Sequence, residues 1–107
     1  MSYMFDRAGY ESTTFKLNLS NWNTSNVTSM ENMFNYAGYP NATSWSVGNI
    51  SGWNTSNVTN MSRMFYRAGY YATYSLKLSG WNVNKVTSHE DFNAYVPGKI
   101  TAPKWVK

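Results

Sequence analysis

The sequence predicts an α/β solenoid: stacked units of one short strand and one short helix, with a parallel sheet on one face. Three observations carry this. Asn-Thr-Ser-Asn-Val-Thr occurs at 23–28 and again at 54–59, with a worn copy at 83–87. Each copy follows a tryptophan (Trp22, Trp53, Trp81), and Ala-Gly-Tyr recurs at 8–10, 37–39 and 68–70. Met30, Met33, Phe34 and Ala37 keep the i, i+3, i+4, i+7 spacing of one buried helix face, and Met61, Met64, Phe65 and Ala68 repeat it.

The repeat frame covers the whole chain. Met1 falls at the slot of Met30 and Met61, and Met4-Phe5 falls on Met33-Phe34. The chain is therefore expected to start inside a repeat and to be a piece of a longer array. Residues 100–105 fit the frame of 17–22, which makes Trp105 a fourth member of the tryptophan series. The successive intervals along Trp22, Trp53, Trp81 and Trp105 are 31, 28 and 24 residues, so loops of unequal length join constant elements. The extra residues of the longest unit fit around Pro40-Asn41 and Gly48-Asn49, both good turn material. This gives one array over 1–107, of about three and a half units, with a worn unit at 82–107 expected to act as a cap.

Within each unit the helix is expected directly after Val-Thr. Thr28 to Glu31 and Thr87 to Glu90 have the spacing of a reciprocal helix cap. Gly38 and Gly69 sit where a left-handed stop belongs. Helices of about two turns do not persist alone and need neighbours to pack on. Strands are expected at 16–20 and 75–79, where polar and apolar residues alternate, with a looser copy at 46–50 bulged at Gly48. Asn23, Asn54 and Asn82 form one column and Asn26 and Asn57 another, placed to satisfy backbone groups of the turns.

Composition excludes several functions. The 107 residues are 42% hydrophobic, which argues against disorder, and 13% charged, against about 25% on average. Cysteine is absent, removing disulfides, thiol catalysis and Cys-based zinc sites together. One His and five acidic residues leave little material for acid–base or metal chemistry, so no enzyme activity, cofactor or metal site is expected. The net charge of +4 is spread thinly, unlike the concentrated basic faces of nucleic-acid binders. No apolar run approaches the ~20 residues that span a bilayer. Residues 1–7 hold no apolar signal-peptide core.

Leu-Ser-Asn-Trp-Asn-Thr-Ser-Asn-Val-Thr, followed by Met-x-x-Met-Phe and Ala-Gly-Tyr, resembles the short-period repeat of BspA-like bacterial surface proteins. The resemblance covers residues 1–93, and Trp105 extends it. It implies a leucine-rich-repeat-like solenoid, secreted or displayed at the cell surface, with a role in adhesion or host contact. The last unit departs from the motif: His89 replaces the first Met, and Phe92-Asn93 stand where Met-Phe stood.

If Leu17, Leu19, Leu76 and Leu78 point inward, their neighbours point outward. The candidate binding residues are then Lys16, Asn18, Ser20, Ser46, Ser75, Lys77, Ser79 and Thr101. Their chemistry suits an extracellular protein or glycan of polar or weakly acidic character, with the chain also stacking on neighbouring repeats. The leading reading is a surface module for protein interaction or adhesion. The alternatives are carbohydrate binding through Trp and Tyr columns, and a flat Thr-rich ice-binding array, which the unequal loops disfavour.

Overall fold

The computed structural model describes residues 1–106, and no helix forms among them. The expected α/β solenoid with a helix in every unit is therefore overturned. Residues 30–39 form a run of overlapping turns instead. The amides of Met33, Asn35, Ala37 and Tyr39 donate back to Met30, Asn32, Phe34 and Tyr36, each three residues earlier. The amides between them leave the segment: Asn32 donates to Ser62 (2.9 Å), Phe34 to Met64 (2.7 Å) and Tyr36 to Tyr66 (2.7 Å). A helix would direct each of these amides four residues back along its own chain. Asn32 and Tyr36 take φ of 55° and 58°, left-handed positions that interrupt a right-handed helix. Residues 1–12 and 61–72 follow the same plan, and residues 89–96 keep its three-residue turns. Parallel backbone bonds thus tie each repeat to the next, where an isolated two-turn helix would have only its own weak ladder.

The apolar spacing holds without the helix. Met30, Met33, Phe34, Ala37, Met61, Met64, Phe65 and Ala68 are all fully buried. Phe5, Phe34 and Phe65 stack along the repeat direction at centroid separations of 5.4 and 5.2 Å. The reciprocal cap also disappears. The Glu31 amide donates to Ser29 Oγ, and the Glu31 carbonyl accepts from Tyr3. Gly38 and Gly69 keep the expected positive φ, at 73° and 54°, yet stop no helix.

Four short strands follow the turn segments: β1 (Thr14–Lys16), β2 (Ser44–Ser46), β3 (Leu76–Lys77) and β4 (Ile100–Thr101). The expected single sheet is two separate parallel pairs, β1 with β2 and β3 with β4. β1 lies earlier than expected, so that Phe15 is its inward residue while Leu17 is half-buried. Leu19 and Leu78 are buried as expected.

The second repeat carries one extra residue next to the split: Trp53 lies eight positions after Trp45, but Trp22 lies seven after Phe15 and Trp81 seven after Tyr74. The surplus falls at Gly48, where φ is +83° and an added Cβ would lie 2.6 Å from Asn18 Oδ1. Leu17 and Leu19, two residues apart, donate to the adjacent carbonyls of Ser46 and Val47, so the regular ladder between β1 and β2 ends there. A bulge at Gly48 would instead spread those acceptors apart; Gly48 turns the chain at positive φ after β2, and β2 and β3 do not pair.

The tryptophan turns complete the core. Trp53 Nε1 donates to the Leu19 carbonyl and Trp81 Nε1 to the Ile50 carbonyl, both at 2.9 Å. Thr24 and Thr55, both buried, donate to the carbonyls of Asn54 and Asn82 in the next repeat. The Asn columns work mostly within their own turns: Asn23, Asn54 and Asn82 accept from the amides of Ser25, Ser56 and Asn84. Asn57 alone reaches across, donating to the Ser25 carbonyl.

Candidate functional site

Seven of the eight expected surface residues are exposed: Lys16, Asn18, Ser46, Ser75, Lys77, Ser79 and Thr101. Ser20 is half-buried, and its hydroxyl donates to Asn18 Oδ1 at 2.7 Å, so these two satisfy each other. Register places Lys16 beside Ser46 and Lys77 beside Thr101. The row is not continuous, because β2 and β3 do not pair.

Between them opens a cleft of about 410 Å³ bordered by Ser46, Asn49, Ser51, Ser75, Leu76 and Lys77. A smaller hollow of about 110 Å³ adjoins it, reaching Trp45, Val47 and Tyr74. The floor is rigid. The Trp45 and Tyr74 rings lie 4.5 Å apart, Trp45 Nε1 donates to the Ala37 carbonyl, and the Tyr74 hydroxyl donates to the Ala68 carbonyl. Burial pushes the Tyr74 phenol well above its ordinary pKa, so it stays a neutral donor. The cleft therefore offers serine and asparagine walls with one lysine at its rim, and the adjoining hollow adds the Trp45 and Tyr74 rings. Sequence reasoning missed it, although the surplus residue before Trp53 was the available signal.

The tryptophan platform is not there to be used. Trp53 and Trp81 are buried and hydrogen-bonded inside, and only Trp22 is substantially open, at 38%. Exposed aromatic surface lies instead among the tyrosines. Tyr10 is exposed, while Tyr39 and Tyr70 are half-buried with rings 6.3 Å apart. Beside them runs an alternating column of Arg7, Tyr36, Arg67 and Tyr95, readable by aligning the repeats but not singled out by sequence. Arg7 lies 4.8 Å from the Tyr36 ring centre; Arg67 lies 6.0 Å from Tyr36 and 4.0 Å from Tyr95. The hydrogen bond from Arg67 lowers the Tyr95 pKa, while desolvation and then the neighbouring Tyr95 raise that of Tyr66. These contacts are mutual, so the arginines chiefly fasten the tyrosines to one another.

Among the described residues, no three His, Asp or Glu side chains gather as a metal site. His89 is half-buried with its ring stacked on Trp105 at 4.0 Å. Asp91 pairs with Arg63 at 3.7 Å, and Asp6 accepts from Asn35.

Stacked turn-and-strand segments with an open polar face define a repeat domain. The chain belongs to the family described as Mycoplasma protein of unknown function, DUF285, whose model matches residues 1–97. That match names this family and not the BspA-like group. No curated protein and no solved structure matches the chain.

Proposed function

We propose that this domain is a binding module displayed outside the cell, which engages a macromolecular partner through the strand row and the cleft between β2 and β3. The cleft carries the reading: its hydrogen-bonding walls adjoin a hollow lined by Trp45 and Tyr74, on a backbone cross-tied from repeat to repeat. Lys77 borders the cleft, Lys16 lies one strand beyond Ser46, and both favour a weakly acidic partner. Display at the surface and a role in host adhesion rest on the resemblance of the repeat motif to surface-protein repeats. Binding is favoured over catalysis because the acidic groups are dispersed, with Asp6 and Asp91 held by Asn35 and Arg63.

The test is a Lys16→Glu/Lys77→Glu variant, assayed with its parent against extracellular-matrix proteins and a glycan array. Both side chains are exposed, so the variant should melt like the parent. Parent binding to a matrix protein, weakened by salt and lost in the variant, is the expected result. Equal binding by the folded variant would remove the lysines from the reading. Signals confined to glycans would favour the Tyr10, Tyr39 and Tyr70 surface instead.

A further inference from the structure

A gap one strand wide separates β2 from β3, and we propose that an extended segment of a partner protein inserts there, joining the two strand pairs into one layer. The inference rests on the reading of the cleft as a binding site and names how that site holds its partner. Neighbouring strands lie about 4.8 Å apart, so a strand between two others sets them roughly 9.6 Å apart. No Cα of β2 comes within 8 Å of a Cα of β3. Backbone groups on both walls are unpaired. Leu17 donates to the Ser46 carbonyl, and Phe15 lies opposite Trp45 in parallel register. Successive residues of a strand turn their amide and carbonyl to opposite edges, so those of Trp45 face away from β1 and toward the cleft. Leu76 and Leu78 donate to Lys99 and Thr101 on the β4 side, which turns the amides and carbonyls of Ser75 and Lys77 toward the cleft. None of these six groups has a hydrogen-bond partner among the described residues. Two facing edges of this kind are a template for a strand from another chain.

The walls also state the chemistry of the segment. An inserted strand presents backbone groups to alternate edges, so one segment reaches both walls. Its side chains alternate as well. Those pointing inward enter the hollow of about 110 Å³ against Trp45, Tyr74 and the half-buried Leu76, which suits a small branched apolar residue. Those pointing outward stand among Ser46, Asn49, Ser51 and Lys77, which suits acidic or hydroxyl residues. Branched residues themselves favour the extended backbone. The hollow is formed in advance, because the Trp45 indole and the Tyr74 hydroxyl are bonded to the Ala37 and Ala68 carbonyls. The partner segment is therefore extended, with branched apolar residues at alternate positions and acidic or hydroxyl residues between them.

Selection from displayed random heptapeptides supplies the probe, and the enriched sequences should show that alternation. With the strongest of them bound, the amides of Trp45, Ser75 and Lys77 should exchange with solvent at least about tenfold more slowly than in the free domain. N-methylation of a central amide of the peptide should weaken binding about tenfold, as the loss of one backbone hydrogen bond in a closed site. Ser75→Pro removes an amide that the fold itself does not use, at an edge where proline is tolerated. It should keep the parent's circular dichroism and weaken binding to a similar extent, while Ser75→Ala binds like the parent. The exchange and N-methyl results decide alone if Ser75→Pro unfolds. A bound peptide that leaves these amides exchanging freely, or an affinity unchanged by N-methylation, overturns insertion while leaving the cleft a binding site. Enrichment of this chain's own strand sequences replaces the partner by a second copy and overturns the proposal, as does the absence of any enriched peptide. The matrix-protein assay of the Lys16→Glu/Lys77→Glu variant judges the cleft reading separately.

Discussion

Phe65→Ala should lower unfolding free energy by about 3–5 kcal/mol, as a fully buried aromatic truncated in a packed core. Phe65 is 0% exposed, stacks on Phe34 at 5.2 Å, meets Phe92 edge-on at 5.4 Å, and lies 6.4 Å from Trp45. It therefore joins the second, third and fourth repeats, and its loss leaves a cavity at the junction of all three. Domains of this size have roughly 5–15 kcal/mol in total, so the variant should sit near the edge of folding. Urea melts give the number directly. A loss under about 1 kcal/mol would mean that the phenylalanine column is not the core.

Gly69→Ala should cost roughly 2 kcal/mol or more, by a different route. At φ +54° the backbone is left-handed, and an added Cβ would stand 2.7 Å from Trp45 Cγ and 2.9 Å from Tyr74 Cε1. Trp45 cannot retreat easily, since its indole is bonded to the Ala37 carbonyl and packed on Tyr74. The same change at Gly52, where nothing lies within 4 Å of the added atom, should stay within about 0.5 kcal/mol. Because the added atom would press on the Trp45 ring, Gly69→Ala should also perturb tryptophan fluorescence. Equal melts for the two variants would contradict the close approach at Gly69.

The residues of the core could be read from the sequence, but not the backbone that carries them. Met30, Met33, Phe34 and Ala37 face inward at the spacing of a helix face because turns three residues long advance the chain with a similar angular period. Periodicity reports which side chains share a face and says nothing about where the amides donate. That choice is made by the neighbouring repeat, whose carbonyls take the amides of Asn32, Phe34 and Tyr36. Asn at 32 tolerates the left-handed backbone, but Tyr36, Arg63 and Arg67 adopt it without any propensity signal. The outward row from Lys16 to Thr101 was legible from alternation. Its interruption, the missing pairing between β2 and β3, exists only in three dimensions.

The most direct measurement is scalar coupling across hydrogen bonds in isotope-labelled protein, read at Phe34. Stacked turns give a coupling from the Phe34 amide nitrogen to the Met64 carbonyl carbon, thirty residues away in sequence, across a 2.7 Å bond. A coupling from Phe34 to the carbonyl of Met30, four residues back, would restore the helix and contradict the stack.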